Sequence, residues 1–398
     1  MIKSIDDYLF DGMNVLIRVD FNVPLDEHFK VTDDTRIVES LPTIDKVIDD
    51  GGIPVLMSHL GRPKGEPNQK YSLEPVANHL RNKFGFEVLF AQDCVGPIAM
   101  EAVHTASLGN IVLLENLRFH PEEEKNDMEF AKQLSVLGDA YINDAFGSAH
   151  RAHASTAAVA SFFEERFAGY LMLDEIKYLG NAISKPQHPF VAVLGGAKIS
   201  GKIDVIRNLL DKCDTILIGG GMMFTFYKAM GYEIGKSLLE EDKVELAKQL
   251  IEEAKKKNVK LLLPVDTIIA DTFSNDANFK RVNSNEILPG WQGLDIGELT
   301  AKMFEKEIIN ARTVVWNGPM GVFEMDNFAG GTLQIAKALA EATSMGAVTI
   351  VGGGDSVAAI NKMHLKDKIT HVSTGGGASL EFLEGKILPG IAALECDN

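Results

Sequence analysis

The sequence predicts an α/β chain organised as two doubly wound parallel-sheet domains, and three observations carry that reading. Short apolar, β-branched runs recur along the whole chain, helical stretches separate them, and 398 residues at 45% hydrophobic content are more than one core usually holds. Single cores stop growing at about 250–300 residues, so two are expected. Runs that are apolar at every position, rather than alternating, mark strands buried on both faces, as parallel strands are.

The first series opens with MNVLIRV from Met13 and continues with IPVLMS from Ile53, EVLF from Glu87, NIVLLE from Asn110 and AYIND from Ala140. Residues 121–137 read as one helix, because Pro121 suits a first helical position and Glu122–Glu124 suit the positive end of the helix dipole. The second series is PFVAVLGG from Pro189, TILIGGG from Thr215, KLLLPVD from Lys260, TVVWNGP from Thr313, AVTIVGGGD from Ala347 and THVSTGGG from Thr370. Residues 240–257 read as a surface helix, with Asp242 early, lysines late, and Glu252–Lys256 and Glu253–Lys257 at i,i+4. Such alternation gives Rossmann-like sheets whose ligands bind beyond the carboxyl ends of the strands. Lys185, Pro186, Gln187, His188 and Pro189 interrupt the helical pattern, which puts a domain boundary near 185–189, between a domain over 1–185 and one that begins at 186 and that the resemblance described below carries to 379.

A formal net charge of −17 argues against a general nucleic-acid or anionic-membrane binder, which needs a broad basic surface. No stretch approaches 18 uninterrupted apolar residues, and no apolar segment follows Lys3, so a cytoplasmic protein is expected. Cys94, Cys213 and Cys396 are far apart and odd in number, as unpaired, non-catalytic thiols in a reducing compartment would be.

The first half collects cations where its strands end: Asp20 and Asn22 in VDFNVP, His59 and Arg62 in SHLGRP, and Arg118 in LLENLRF, with Arg36 and Arg151 besides. Taken singly, arginines in an acidic protein are ordinary surface ion pairs. Together, after strands, their planar forks suit a small ligand carrying phosphate and carboxylate. His150 and His153 have the spacing of a metal pair, but Arg151 as an anion contact with the histidines packed around it is the better reading, with Asp144 structural.

The second half collects glycines. Gly195–Gly196, Gly219–Gly221, Gly352–Gly354 and Gly375–Gly377 each follow an apolar run and precede a helical stretch, the arrangement in which backbone N–H groups bind phosphate. The stretch from Gly196 to Ile203 nearly matches a P-loop, but Ile203 stands where the magnesium-binding hydroxyl belongs, so a P-loop is rejected. Lys198 and Lys202 remain candidate phosphate contacts, and Asp355 is a candidate magnesium ligand, helix N-cap, or both. A dehydrogenase would also use two such lobes, but its GxGxxG fingerprint with a ribose acid is missing. A bilobal solute-binding protein would need no nucleotide lobe.

RVDFNVP, SHLGRP, ENLRF and NDAFGSAHRAHAS in the first half, with LGGAKISGKI, IGGGMMFTF, LPVD, VWNGPMGVFE, GGGDS and STGGGASLE in the second, together resemble the phosphoglycerate kinase family from about residue 13 onward. The resemblance implies that Asp20, Phe21, Asn22, Arg36, His59, Leu60, Gly61, Arg62, Arg118 and Arg151 bind 3-phosphoglycerate or 1,3-bisphosphoglycerate. It implies that Lys198, Lys202, Gly219, Gly293, Asn317, Glu324, Gly353, Gly354, Asp355 and Ser356 surround ATP or ADP, with Glu324 at the ribose and Asp355 toward magnesium. Ser356 replaces a threonine common in the family and keeps the hydroxyl. The family also implies a monomer, closure of two lobes about a hinge, and residues 380–398 returning to the first domain. Arg36, Lys198 and the N–H groups of Gly375, Gly376 and Gly377 are then the candidates for stabilising the transferring phosphoryl group.

Overall fold

The computed structural model describes residues 2–395, so Cys396 lies outside the described residues. The chain divides into two units, one running up to Lys177 and resuming at Ile387, the other Tyr178–Lys386.

The first unit is built on a six-stranded parallel sheet of β1 (Asn14–Arg18), β2 (Ile53–Met57), β3 (Glu87–Ala91), β4 (Asn110–Leu114), β5 (Ala140–Asn143) and β6 (Arg166–Ala168), in the order β3-β4-β2-β1-β5-β6. The first five are the runs read from sequence. The short β6, beside β5 in register Tyr141–Arg166, carried too few apolar residues to be recognised. Val15, Leu16 and Ile17 are fully buried, each worth about 1.5–3 kcal/mol relative to exposure. From β1 the chain winds outward to one side and then returns to β5 on the other. The switch point therefore lies beyond the carboxyl ends of the central strands, where a ligand finds a crevice. The returning tail is held by backbone: Gly390 N–H donates to Ala149 O at 2.8 Å, and Arg166 Nη2 donates to Glu395 O at 2.9 Å.

The expected helix over 121–137 is two helices, Pro121–Glu124 and Met128–Ser135. Asn126 between them takes φ 55°, and Asp127 starts the second helix by accepting from Phe130 N–H at 2.9 Å. An Asx cap outcompetes continuation of the helix there.

The second unit repeats the plan with β7 (Phe190–Leu194), β8 (Thr215–Ile218), β9 (Lys260–Leu262), and, further along the chain, β13 (Thr313–Asn317), β14 (Val348–Gly352) and β15 (His371–Val372), in the order β15-β14-β13-β7-β8-β9. Its switch point is between β7 and β13. An antiparallel sheet not foreseen from sequence intervenes, β11-β10-β12, made of β10 (Asp266–Ala270), β11 (Phe279–Asn283) and β12 (Gln292–Ile296). Its exposed strand β11, reading FKRVN, has only weak patterning.

The surface helix is Val244–Lys256, preceded by a 3-10 turn over Glu241–Lys243. The expected Glu252–Lys256 and Glu253–Lys257 pairs are not among the ion pairs of the described residues. Lys257 Nζ reaches Asp211 at 2.6 Å instead, since an exposed i,i+4 pair is worth only about 0.3–0.5 kcal/mol and yields to a better-placed partner. Among the described residues, no helix is long and apolar enough to cross a membrane.

Candidate active site

On the first unit, the loops after β1, β2, β4 and β5 bring the anion candidates to one edge of the sheet. Arg36 Nη1 donates to Asp20 Oδ2 at 2.8 Å, and His59 Nδ1 lies 4.0 Å from the other oxygen of Asp20. Asn22 Oδ1 accepts from Gly61 N–H at 2.9 Å, tying the loop after β1 to the loop after β2. Arg118 Nη1 donates to Gly61 O at 2.8 Å, bringing in the loop after β4. Phe21 and Leu60 are buried, and Phe21 N–H donates to Ser58 Oγ, so these two shape the loops from beneath. Arg151 Nε donates to His150 Nε2 at 3.1 Å. Arg62 is exposed, with no ion pair to it among the described residues.

Two residues that sequence reasoning passed over organise this edge. Arg18, 1% exposed, directs Nε to Ser155 Oγ at 2.8 Å and Nη2 to His59 Nδ1 at 3.1 Å. Glu123, fully buried, accepts from Ser155 Oγ at 2.6 Å and Ser155 N–H at 2.9 Å. The sequence reading treated Glu123 as an acid serving a helix dipole, whereas it is the buried counter-charge beneath the arginines. The available signal was Arg18 itself, a charge inside an otherwise apolar strand.

The Arg18 contact decides the state of His59. A guanidinium can only donate, so Nδ1 must accept and the imidazole proton sits on Nε2. Burial, followed by the charges of Arg18, Arg118 and Arg36, holds the His59 pKa well below its ordinary value. His59 is therefore a neutral N–H donor. Burial also lowers Arg118, with Arg18 and Arg151 adding to that and Glu124 opposing it. Cations crowd this edge in excess of the carboxylates that face them, a field that an anion relieves.

On the second unit, Gly195 N–H donates to Asn317 O at 3.0 Å and Gly196 N–H to Pro319 O at 2.9 Å, joining the ends of β7 and β13. A Cβ on Gly195 would stand 2.1 Å from Pro319 O, so only glycine allows this approach. Lys202 Nζ donates to Asn317 Oδ1, and burial pulls this lysine down to about 8 against the opposing charge of Asp355. Asn317 Nδ2 is buried without a hydrogen-bond partner among the described residues, an unmet donor of the kind that costs about 1–3 kcal/mol unless a ligand accepts from it. Ser356 Oγ accepts from Gly318 N–H at 2.6 Å. Gly353, at φ 85°, precedes the helix Gly354–Lys362 as its cap residue. Asp355 is thus not the N-cap the sequence allowed. It lies in the first turn, makes no side-chain cap bond and is exposed.

Beside this cluster is a cavity of about 320 Å³ whose lining includes Gly293, Glu324 and Asp355, together with apolar Phe224, Leu294 and Val322. Leu238 and Phe273 at its rim are 60% and 62% exposed, unusual for such side chains. A Cβ on Gly293 would stand 2.2 Å from the Phe224 ring, so this glycine keeps the wall thin. These apolar contacts come from five separated segments and left no motif in the sequence. Asp295 in the same wall accepts from Gly331 N–H at 2.7 Å and is pushed up to about 7 by burial.

Of the other candidates, Lys198 is exposed and not part of the cavity lining, and Gly219 packs against the Met320 sulfur. Gly375 N–H is engaged by Ser373 Oγ at 3.1 Å, and Gly376 takes φ 53° ahead of the helix Gly377–Leu383.

This architecture is shared with known proteins. The phosphoglycerate kinase family profile matches residues 5–386. Phosphoglycerate kinases of Chloroherpeton thalassium and Chlorobaculum tepidum are each 58% identical over 392 residues, covering 98% of this chain and 98% and 99% of theirs. The structure of phosphoglycerate kinase from Coxiella burnetii superposes with a TM-score of 0.89 at 43% identity, covering 99% of both chains. That from Pyrococcus horikoshii gives 0.82 at 33% identity, covering 98% of both.

Proposed function

The chain belongs to the phosphoglycerate kinase family, a glycolytic phosphotransferase, and on that premise we propose how its own residues carry the reversible transfer 1,3-bisphosphoglycerate + ADP = 3-phosphoglycerate + ATP. The observation that carries the assignment is the excess of arginine over carboxylate at one edge of the first unit. Asp20, Asn22, Arg36, His59, Arg62, Arg118 and Arg151 hold the phosphoglycerate there. Phe21, Leu60 and Gly61 keep the loops in place, and His59 binds as a neutral donor through Nε2–H.

On the second unit, Lys202, Asn317, Gly353, Gly354 and Ser356 take the nucleotide phosphates. Gly219 and Gly293 let the backbone approach, Glu324 meets the ribose, and the apolar cavity takes the base. The exposed, unpaired carboxylate of Asp355 beside that cavity suits a magnesium ion, which is usually carried by one or two carboxylates, water and phosphate. Magnesium held there supplies charge neutralisation on the nucleotide phosphates.

In one direction the nucleophile is a phosphate oxygen of ADP, and in the other the carboxylate of 3-phosphoglycerate. Neither needs a general base. The demand falls on the equatorial oxygens of the group in transit, which preorganised donors stabilise. Arg36 from the first unit and Lys198 from the second serve these oxygens, assisted by the N–H groups ahead of the helix Gly377–Leu383. Because the two ligand sets belong to different units, transfer requires them to close on each other and exclude water. The enzyme acts as a cytoplasmic monomer, and a net charge of −17 disfavours nucleic-acid and membrane partners.

The test is 3-phosphoglycerate-dependent ATP consumption with magnesium, on the wild type and Arg36→Ala. The variant should lose kcat far more than it gains KM, because the contact strengthens in the transition state. Unchanged kcat with weaker binding alone would remove Arg36 from the transfer step.

A further inference from the structure

A cluster of ligating side chains distinct from the proposed anion-binding residues lies on the first unit. Strands β3 and β4 are neighbours, and the turns at their carboxyl ends bring together Asp93, Cys94 and His120. One ligand atom from each, a carboxylate oxygen, the thiol sulfur and an imidazole nitrogen, lies within 4.8 Å of the other two. His120 Nε2 and Asp93 Oδ1 are 2.7 Å apart, and Cys94 is fully buried behind them. The three come from two separate segments, so their convergence is a product of the sheet rather than of a local turn.

Two further observations point to a ligand. A cavity of about 400 Å³ opens on the cluster, with Asp93 and His120 in its lining beside Gln92 and Glu115. Glu115 is already engaged: it accepts from Leu73 N–H at 2.8 Å, Asn116 N–H at 2.7 Å and Ser72 Oγ at 2.6 Å. The cavity side is therefore left for water, and the donor set is one sulfur, one nitrogen and one oxygen with a fourth position open. This is the pattern of zinc sites with three protein ligands. Metal bonds of about 2.0–2.3 Å place tetrahedral ligand atoms roughly 3.3–3.8 Å apart, so the cluster accommodates an ion by opening the His120–Asp93 contact and drawing the sulfur inward. Thiolate and imidazole select against magnesium, which takes oxygen ligands.

We propose that Asp93, Cys94 and His120 form a binding site for a thiophilic divalent cation of the zinc type, independent of the magnesium-nucleotide site. On binding, the metal–sulfur bond forms as the thiol proton leaves to solvent, and the ion takes the place of the His120–Asp93 hydrogen bond. The ion clamps the end of β3 to the segment after β4 that carries Arg118 and Glu123.

Cobalt(II) is the probe, added to metal-free full-length protein. One equivalent should give a sulfur-to-cobalt charge-transfer band in the near ultraviolet, and zinc should displace it while excess magnesium does not. Cys94→Ser should abolish the band, His120→Gln should weaken binding by about tenfold or more, and Cys213→Ser should leave both unchanged. Zinc should also raise the thermal midpoint of the wild type but not of Cys94→Ser, as ligand binding to the folded state requires. If circular dichroism shows Cys94→Ser unfolded, Asp93→Asn at a partly exposed position gives the same test through lost affinity. No band in the wild type at millimolar cobalt, a band surviving in Cys94→Ser, or binding without a band, meaning surface histidines only, would each overturn the site.

Discussion

Asp144 directly follows β5 and begins the segment that carries Arg151, and it is fully buried. Burial pushes its carboxyl from 3.8 up to about 7, against the hydrogen bond that Met172 N–H donates to Oδ1 at 3.2 Å, with the charge of Asp174 adding a small push upward. A carboxyl that holds its proton more tightly in the folded state stabilises the fold least when ionised. The stability of the first unit is therefore highest below the unfolded value near 3.8, falls as pH rises toward about 7, and stays low above it. The gap between the two values corresponds to ~4 kcal/mol. Asp144→Asn keeps the acceptor for the helix N–H and removes the charge, so it should stabilise by only about 1.5–2 kcal/mol at about pH 5 and by up to ~4 kcal/mol at about pH 8.5. Both tryptophans, Trp291 and Trp316, belong to the second unit, so their fluorescence serves as the control. The assay is amide exchange of Tyr141 and Ile142 in β5, comparing variant with wild type at each pH. Protection should rise by up to about a thousandfold at the higher pH and by only about ten- to twentyfold at the lower. An equal ratio at the two pH values would show that Asp144 is not a buried acid of raised pKa.

Three further outcomes follow from the second unit. Lys202, held near 8, should make kcat/KM for the nucleotide fall as pH rises through about 8, because the ammonium is the form that meets phosphate. Lys202→Arg should move that fall out of the range, and an unaltered profile would exclude the lysine as its source. Asp355→Ala should shift the magnesium titration of the rate to higher concentration, and superimposable curves would remove Asp355 from the metal. Gly195→Ala would drive a methyl against Pro319 O and Gly318 O, both backbone. It should cost about 1–3 kcal/mol together with nucleotide protection against thermal unfolding, read by Trp316 fluorescence, and an unchanged midpoint would contradict the close approach.

Most strands of both parallel sheets were legible because they are runs of consecutive rather than alternating apolar residues, and the candidate residues stood out because polar groups and glycines interrupt those runs where they end. Less was legible where a residue's role depends on what lies across from it. Glu123 reads like Glu122 and Glu124 in the sequence, yet Glu123 alone is fully buried, facing Ser155 and the charge of Arg18. The antiparallel sheet escaped notice because β11 is exposed and mixed in character, and the base pocket because Phe224, Leu238, Leu294 and Val322 come from separate segments.

The sequence by itself determined the α/β class, the two parallel sheets and the types of group that meet phosphate, because hydrophobic periodicity and local turn chemistry act over a few residues. Only the tertiary structure decided the protonation of His59, the burial of Glu123, the depressed Lys202 and the meeting of Asp93, Cys94 and His120. Each of these depends on desolvation and on Coulomb or hydrogen-bond partners many residues away. Strand order brings such partners together, and no local window of sequence records strand order.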